Sequence, residues 1–188
     1  LFMVDDSPFF WCGADRLDPP DPGIKRKCQL YNLDAVGYES LMLGMFEIHR
    51  GPPNTICAKQ GLPKITELSL AYSRDGFHWD RPDRRTFIPA TRKDTWDRGY
   101  VQSVGGICTI QGDKLWFYYT GFRGDPGRSH GDQMRGGMYD NASTGVAFLR
   151  RDGFASMTAG KEAGTLLTRP VRFSGQYLFV NADCPKGE

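Results

Sequence analysis

The sequence lacks several features that would point directly to a function. No C-x-x-C pair occurs, which excludes the usual zinc and dithiol motifs. No apolar run approaches the roughly 18 residues of a membrane-spanning helix. No glycine-rich phosphate loop is present, because Val104-Gly105-Gly106-Ile107 lies inside a strand-like run. We therefore expect no metal, no cofactor and no membrane partner.

Charge of one sign is also lacking, since 24 Lys and Arg stand against 22 Asp and Glu. This balance argues against nucleic acid as a partner. The five cysteines are scattered and predict buried free thiols, with one disulfide between Cys12 and Cys28 as the alternative. The cysteine pattern does not determine the cellular compartment. We expect a soluble protein, with a periplasmic or secreted location among the alternatives.

A short motif occurs twice. Arg74-Asp75-Gly76-Phe77 returns as Arg151-Asp152-Gly153-Phe154, 77 positions later (152 − 75). Each copy follows an apolar run, and Asp-Gly between two such runs is typical of a tight β-hairpin turn. In both copies the aspartate is expected to accept hydrogen bonds from nearby backbone N–H groups and to fix the turn. A repeated hairpin indicates a repeated sheet unit, as in a β-propeller.

Strand-like runs dominate, and helical periodicity is almost absent. They form two sets of four, at 28–36, 40–48, 66–72 and 77–79, and at 100–110, 114–121, 143–150 and 154–157. We predict an all-β protein: a partial β-propeller over 1–160, with blades at about 28–80 and 100–158. Runs at 165–173 and 176–180 predict that 161–188 contributes closing strands or begins an appended β-sandwich. Two to three blades cannot close a ring, so a missing segment or a partner chain would complete it.

The long connections are expected to gather at one end of these sheets. In a four-stranded antiparallel blade, the tight turns share one rim and the longer connections share the other. The second rim would carry residues 12–28, 49–65, 83–99 and 122–141. Long loops over a rigid sheet are where binding and catalysis usually occur.

The segment Ala71-Tyr72-Ser73-Arg74-Asp75-Gly76-Phe77-His78-Trp79 resembles the YSxDGxxW hairpin of five-bladed propeller glycosidases, the invertase/levanase family and its arabinanase/xylosidase relatives. Trp96-Asp97-Arg98-Gly99 and 115–121 are similar to segments of bacterial members. The resemblance covers about residues 28–183. It implies a glycoside hydrolase that acts on a furanoside or related glycan through two carboxylates.

Candidate residues follow from the loop-rich rim and from this resemblance. The catalytic candidates are Asp97, Asp18 and Glu39, although Glu39 falls beside a tight turn. Asp34 lies inside the first strand and is a further carboxylate that could face the channel. The predicted substrate-binding residues are Trp96, Arg98, Tyr100, Arg123 and His130. A turn-capping role is the alternative for Asp97, and a plain extended loop is the alternative for the segment around Asp18.

The family's Asn-Asp-Pro nucleophile motif is absent, and Ala14-Asp15-Arg16-Leu17-Asp18-Pro19 is the nearest segment to it. This departure favours a non-catalytic carbohydrate-binding propeller as the alternative to hydrolysis. A structural propeller within a larger assembly is a further alternative, because two to three blades do not close a ring.

Overall fold

The computed structural model describes residues 10–128 and 136–184. The chain divides into two compact units, 1–153 and 154–188. All strands lie in the first unit. In the second unit, the described residues 154–184 form no strand, so the runs predicted at 165–173 and 176–180 are irregular.

The first sheet has three antiparallel strands in the order β1-β2-β3. These are β1 (Gln29–Tyr38), β2 (Leu41–Gly51) and β3 (Ile65–Ser73). A two-residue turn joins β1 to β2 and places Glu39 at φ 51°. The connection from β2 to β3 contains the short helix α1 (Asn54–Gln60), which the sequence did not predict. Gly61 ends this helix in the left-handed region, at φ 65°.

The second sheet repeats this plan with strand order β4-β5-β6. Its strands are β4 (Gly99–Gln111), β5 (Lys114–Phe122) and β6 (Ala142–Arg150). A two-residue turn joins β4 to β5, and the connection from β5 to β6 contains two 3-10 turns, Pro126–Arg128 and Gly137–Tyr139. The prediction of an all-β protein is confirmed, and the two copies of the Arg-Asp-Gly-Phe motif follow the last strands of different sheets.

Neither sheet has the predicted fourth strand. Residues 77–79 and 154–157 are irregular, and in the first sheet only two isolated bridges pair with β3, at Asp80 and Ile88. Asp75 accepts hydrogen bonds from the N–H groups of Phe77 (2.9 Å) and His78 (2.8 Å), as expected for a turn-fixing aspartate. These bonds tighten the turn and hold the residues after it away from a regular ladder.

The first sheet is packed on both faces. On one face, Cys28, Phe46, Ile48 and Ala71 form a cluster that is covered by Trp79 and by the N-terminal residues. On the other face, the second sheet packs against β3 and β1 through its strand β4. Thr66 Oγ1 donates to the Val101 carbonyl across this seam, at 2.9 Å. We call this boundary between the two sheets the seam.

The long connections meet at one end of the sheets, as the sequence predicted. The Asp125 amide donates to the Gly61 carbonyl at 2.9 Å, which joins the β5–β6 connection to the β2–β3 connection. Cys57 and Ala58 of α1 pack on Met138. The tight turns meet elsewhere, where Arg151 pairs with Glu39 at 2.8 Å. Loops and turns therefore occupy different rims.

Candidate functional site

A polar cluster lies in the seam, where β1, β2, β3 and β4 come together. Its centre is Glu47 on β2, whose side chain has no exposed surface. Neither carboxyl oxygen has a hydrogen-bond partner of normal geometry in the described part of the chain. Buried polar atoms in a protein are nearly always hydrogen-bonded. A carboxyl with no hydrogen-bond partner of normal geometry in the middle of a packed strand makes Glu47 a candidate functional residue.

Burial raises the pKa of Glu47 from its ordinary value near 4.5 to about 7. The nearby Thr66, Gln102 and Lys64 oppose this rise, and the negative charge of Asp34 adds to it. A carboxyl with a pKa near neutrality is protonated in part of the molecules at physiological pH. It has the property that a general acid in glycoside cleavage requires.

Lys64 lies beside Glu47 in a cage of tyrosine rings. Its ammonium stands 4.1 Å from the ring centre of Tyr31 and 4.3 Å from that of Tyr100. Lys64 Nζ also donates to the Tyr31 hydroxyl at 2.9 Å, which together with the Tyr100 hydroxyl lowers the pKa of Tyr31. The cage is open to solvent at Tyr31, whose side chain is 45% exposed. An exposed aromatic ring beside fixed polar groups is the usual platform for a sugar.

Asp34 supplies a second carboxylate to the seam. It lies on β1 opposite Met45, on the same face of the sheet as Glu47 two residues further along β2. The Ser103 hydroxyl of β4 donates to Asp34, so this carboxylate is held across the seam by the second sheet. Glu47 and Asp34 thus form a pair in which one carboxyl is fully buried and the other is partly exposed.

Among the residues predicted from sequence, Tyr100 lies in this cluster. Its ring also contacts Phe122, with ring centres 5.0 Å apart, and Tyr139, at 5.6 Å. Burial and the neighbouring Tyr31 raise its pKa, so Tyr100 remains a neutral hydrogen-bonding group.

Asp97 and Trp96 make contacts of a different kind. The Asp97 carboxylate accepts hydrogen bonds from Thr91 (3.2 Å) and Thr95 (2.8 Å), which matches the turn-capping alternative. Trp96 packs on Tyr119, with ring centres 5.3 Å apart, and fills the space above Gly145. Both residues contact the second sheet and its preceding loop, and their contacts include none of the seam carboxyls.

The two predicted arginines flank one aspartate. Arg98 lies 3.5 Å from Asp94, and Arg123 lies 3.8 Å from the same carboxylate. Arg123 and Asp94 are exposed, and Arg98 is less so. Exposed pairs of this kind contribute little to stability, so both guanidinium groups stay accessible at the loop rim.

The remaining predicted residues lie outside the cluster around Glu47. Asp18 is buried and forms a two-bond ion pair with Arg81, at 2.6 and 2.8 Å, and Arg84 lies 3.3 Å away. These arginines hold the pKa of Asp18 below its usual range, although burial opposes them. Glu39 pairs with Arg151 on the turn rim. His130 lies outside the described residues.

Sequence reasoning missed Glu47, Lys64 and Tyr31. The available signal was a single charged residue inside the apolar run Leu43–Ile48. A carboxyl at a position with apolar neighbours on both sides must be buried or break the strand, and burial of a charge is rare without a role. Lys64 and Tyr31 carry no comparable local signal, since both lie near the start of a strand, where a lysine or a tyrosine is ordinary.

No metal centre is supported by the described residues 10–128 and 136–184, where no three potential ligands from His, Cys, Asp and Glu converge. The described cysteines are all free thiols, so the Cys12–Cys28 disulfide is not formed. No helix in the same ranges is long and apolar enough to cross a membrane.

Comparisons of the chain with protein-family models, with curated proteins and with solved structures found no match in any of the three. The functional assignment therefore depends on the geometry of the seam.

Proposed function

We infer that this chain is part of a β-propeller glycoside hydrolase that acts on a furanoside or related glycan. The observation that carries this proposal is the buried carboxyl of Glu47, with its pKa near 7, beside a second carboxylate and an exposed tyrosine. In the proposed reaction, Glu47 protonates the leaving oxygen. Asp34 either attacks the sugar carbon or activates water.

Three features of the fold support a propeller. Two successive sheets have the same antiparallel order, with the first strand of the second sheet beside the first strand of the first sheet. Long connections meet on one rim and tight turns on another. Further sheets, from a longer protein or from a partner chain, would close the ring.

The lysine cage would position the sugar. Tyr31 and Tyr100 offer ring faces for stacking, and their hydroxyl groups lie 3.1 Å apart. Lys64 fixes the Tyr31 hydroxyl and places a positive charge near the Glu47 carboxyl. This charge would stabilise negative charge on Glu47 after it has given up its proton.

One observation favours the alternative of glycan binding without hydrolysis. Glu47 has no exposed surface, so a sugar that rests on Tyr31 does not touch its carboxyl in this arrangement. In that function Tyr31 and Tyr100 would hold the glycan, and Glu47 would only balance the charge of Lys64.

The test is turnover of 4-nitrophenyl furanosides by the whole protein, with binding followed by calorimetry. Glu47→Gln should lower kcat by about 100-fold or more, because it removes the transferable proton. Glu162→Gln, an exposed glutamate of the second unit, is the matched control and should match wild type.

Two results would contradict the proposal. Saturable binding by wild type without product would support the binding-only alternative. Full turnover by Glu47→Gln, with loss of turnover in a folded Asp97→Asn variant, would show that Asp97 and not Glu47 is the catalytic residue.

A further inference from the structure

A cavity opens at the loop rim, at the start of β1 and the end of β2. Its volume is about 380 Å³, and Arg26, Lys27, Gln29, His49 and Arg50 contribute to its lining. This volume lies within the range of about 300–1,000 Å³ that is typical of small-molecule sites. The cavity is therefore large enough for more than a simple ion.

The lining is positively charged, because no aspartate or glutamate contributes to it. Arg50 is already neutralised, since its Nε lies 2.5 Å from Glu67 and its Nη1 lies 3.3 Å from the Pro19 carbonyl. Arg26 and Lys27 have no carboxylate within ion-pair distance among residues 10–128 and 136–184, and both are exposed. Two uncompensated cations side by side repel each other and favour an anionic ligand.

Neutral polar groups complete the lining. His49 Nδ1 lies 3.4 Å from Gln29 Oε1, and His49 Nε2 is buried without a hydrogen-bond partner in the described part of the chain. Burial lowers the pKa of His49, so the ring is neutral and can donate through one nitrogen only. The amide N–H groups of Gln29 can donate to a ligand that has several acceptor oxygens, whereas the second ring nitrogen of neutral His49 only accepts.

The cavity is next to the seam. The ring of His49 lies 6.1 Å from the ring of Tyr31, which forms the open side of the lysine cage. A molecule with one end between Arg26 and Lys27 would therefore extend toward the tyrosine platform.

We propose that Arg26 and Lys27, with Gln29, bind the phosphate group of a phosphorylated sugar whose ring rests on Tyr31. The inference deepens the proposed function, on which it rests for the sugar part of the ligand. Arginine and lysine are the side chains that most often hold phosphate, through charge-assisted hydrogen bonds. Inorganic phosphate shares this chemistry and would occupy the cationic end alone.

The experiment measures binding by calorimetry at low ionic strength, with ribose 5-phosphate, ribose and orthophosphate as separate probes. Ribose 5-phosphate should bind about tenfold tighter than orthophosphate, because the ring adds its own contacts, and ribose should bind weakest. Arg26→Ala/Lys27→Ala should weaken ribose 5-phosphate binding by about tenfold or more. The control is Lys161→Ala/Arg169→Ala, which removes the same charge from exposed positions of the second unit.

Three outcomes would overturn the inference. Equal affinities for ribose 5-phosphate and orthophosphate would show that an anion alone is bound, without a sugar. Equal weakening by both double variants would show a general charge effect. Unchanged binding in the Arg26/Lys27 variant would remove this cavity from phosphate recognition. Because binding is measured without turnover, each outcome is independent of whether the seam hydrolyses a glycoside.

Discussion

The middle strands of the two sheets, β2 and β5, have different surroundings. In β2, six consecutive residues from Leu43 to Ile48 are buried. In β5, burial alternates, and Leu115 and Phe117 are buried while Tyr118 is 38% exposed. A strand with continuous burial must be covered on both faces, whereas alternating burial indicates one covered face.

The difference in burial follows from what packs against each sheet. The first sheet is covered by residues 10–28 and Trp79 on one face and by the second sheet on the other. The second sheet leaves Phe148 53% exposed on its outer face, next to Trp116. An apolar face of this kind is where a third sheet would pack in the proposed propeller.

The largest expected effect tests this difference directly. Phe46→Ala should lower the free energy of unfolding by about 3–5 kcal/mol, because it empties a packed cluster. Phe148→Ala, the matched change on the second sheet, should cost less than about 1 kcal/mol, because the ring is half exposed. Urea unfolding measures both values. Equal losses would mean that the outer face of the second sheet is covered in solution.

Glu47 in the seam should make the free energy of unfolding depend on pH, with an effect similar in size to that of Phe46→Ala. The pKa of Glu47 is raised in the folded state, so folding favours the protonated form. The stabilisation of the folded state that comes from this raised pKa is fully present below about pH 4.5. It is lost as pH rises through about 7, which lowers the free energy of unfolding by up to about 3 kcal/mol.

Urea unfolding of wild type and of Glu47→Gln across this pH range measures the effect. The amide does not ionise, so the difference in stability between the two proteins should shift in favour of Glu47→Gln as pH rises. Glu162→Gln should keep the wild-type dependence. A constant difference at every pH would show that Glu47 is not desolvated by the seam.

The smallest effects concern a feature that the two sheets share. Each sheet has a glycine under a tryptophan ring: a Cβ on Gly44 would lie 2.5 Å from Trp79, and one on Gly145 would lie 2.2 Å from Trp96. Gly44→Ala and Gly145→Ala should each destabilise by about 1–3 kcal/mol through overpacking.

Gly37→Ala on β1 is the control, since no atom lies within 4 Å of its added Cβ. Thermal unfolding compares the three variants. If Gly145→Ala behaved like Gly37→Ala, Trp96 would be free to move off the sheet and would be available as a sugar-stacking residue.

The positions of the six strands and of the tight turns that join β1 to β2 and β4 to β5 could be predicted from the sequence, because β-prone runs and the turn residues between them are local features. The absence of the predicted fourth strands could not be foreseen. In the first sheet, the hydrogen bonds of Asp75 and the packing of Trp79 on Gly44 compete with regular pairing after β3. Helix α1 was missed because seven residues are too few for helical periodicity to show.

The candidate site also contains residues that could be predicted from the sequence and residues that could not. Tyr100 could be found because it follows the conspicuous Trp96-Asp97-Arg98-Gly99 segment at the start of a strand. Glu47 could not be ranked above Asp97 from sequence, since the property that distinguishes it is desolvation between two sheets.

The sequence by itself determined the all-β class, the positions of the strands and the rim on which the long connections lie, because each depends on residues close along the chain. Only the tertiary structure brought Tyr31, Glu47, Lys64 and Tyr100 together from four separate elements. Burial of a carboxyl and the field of a neighbouring ammonium depend on distances through space, and no order of residues along the chain specifies those distances locally.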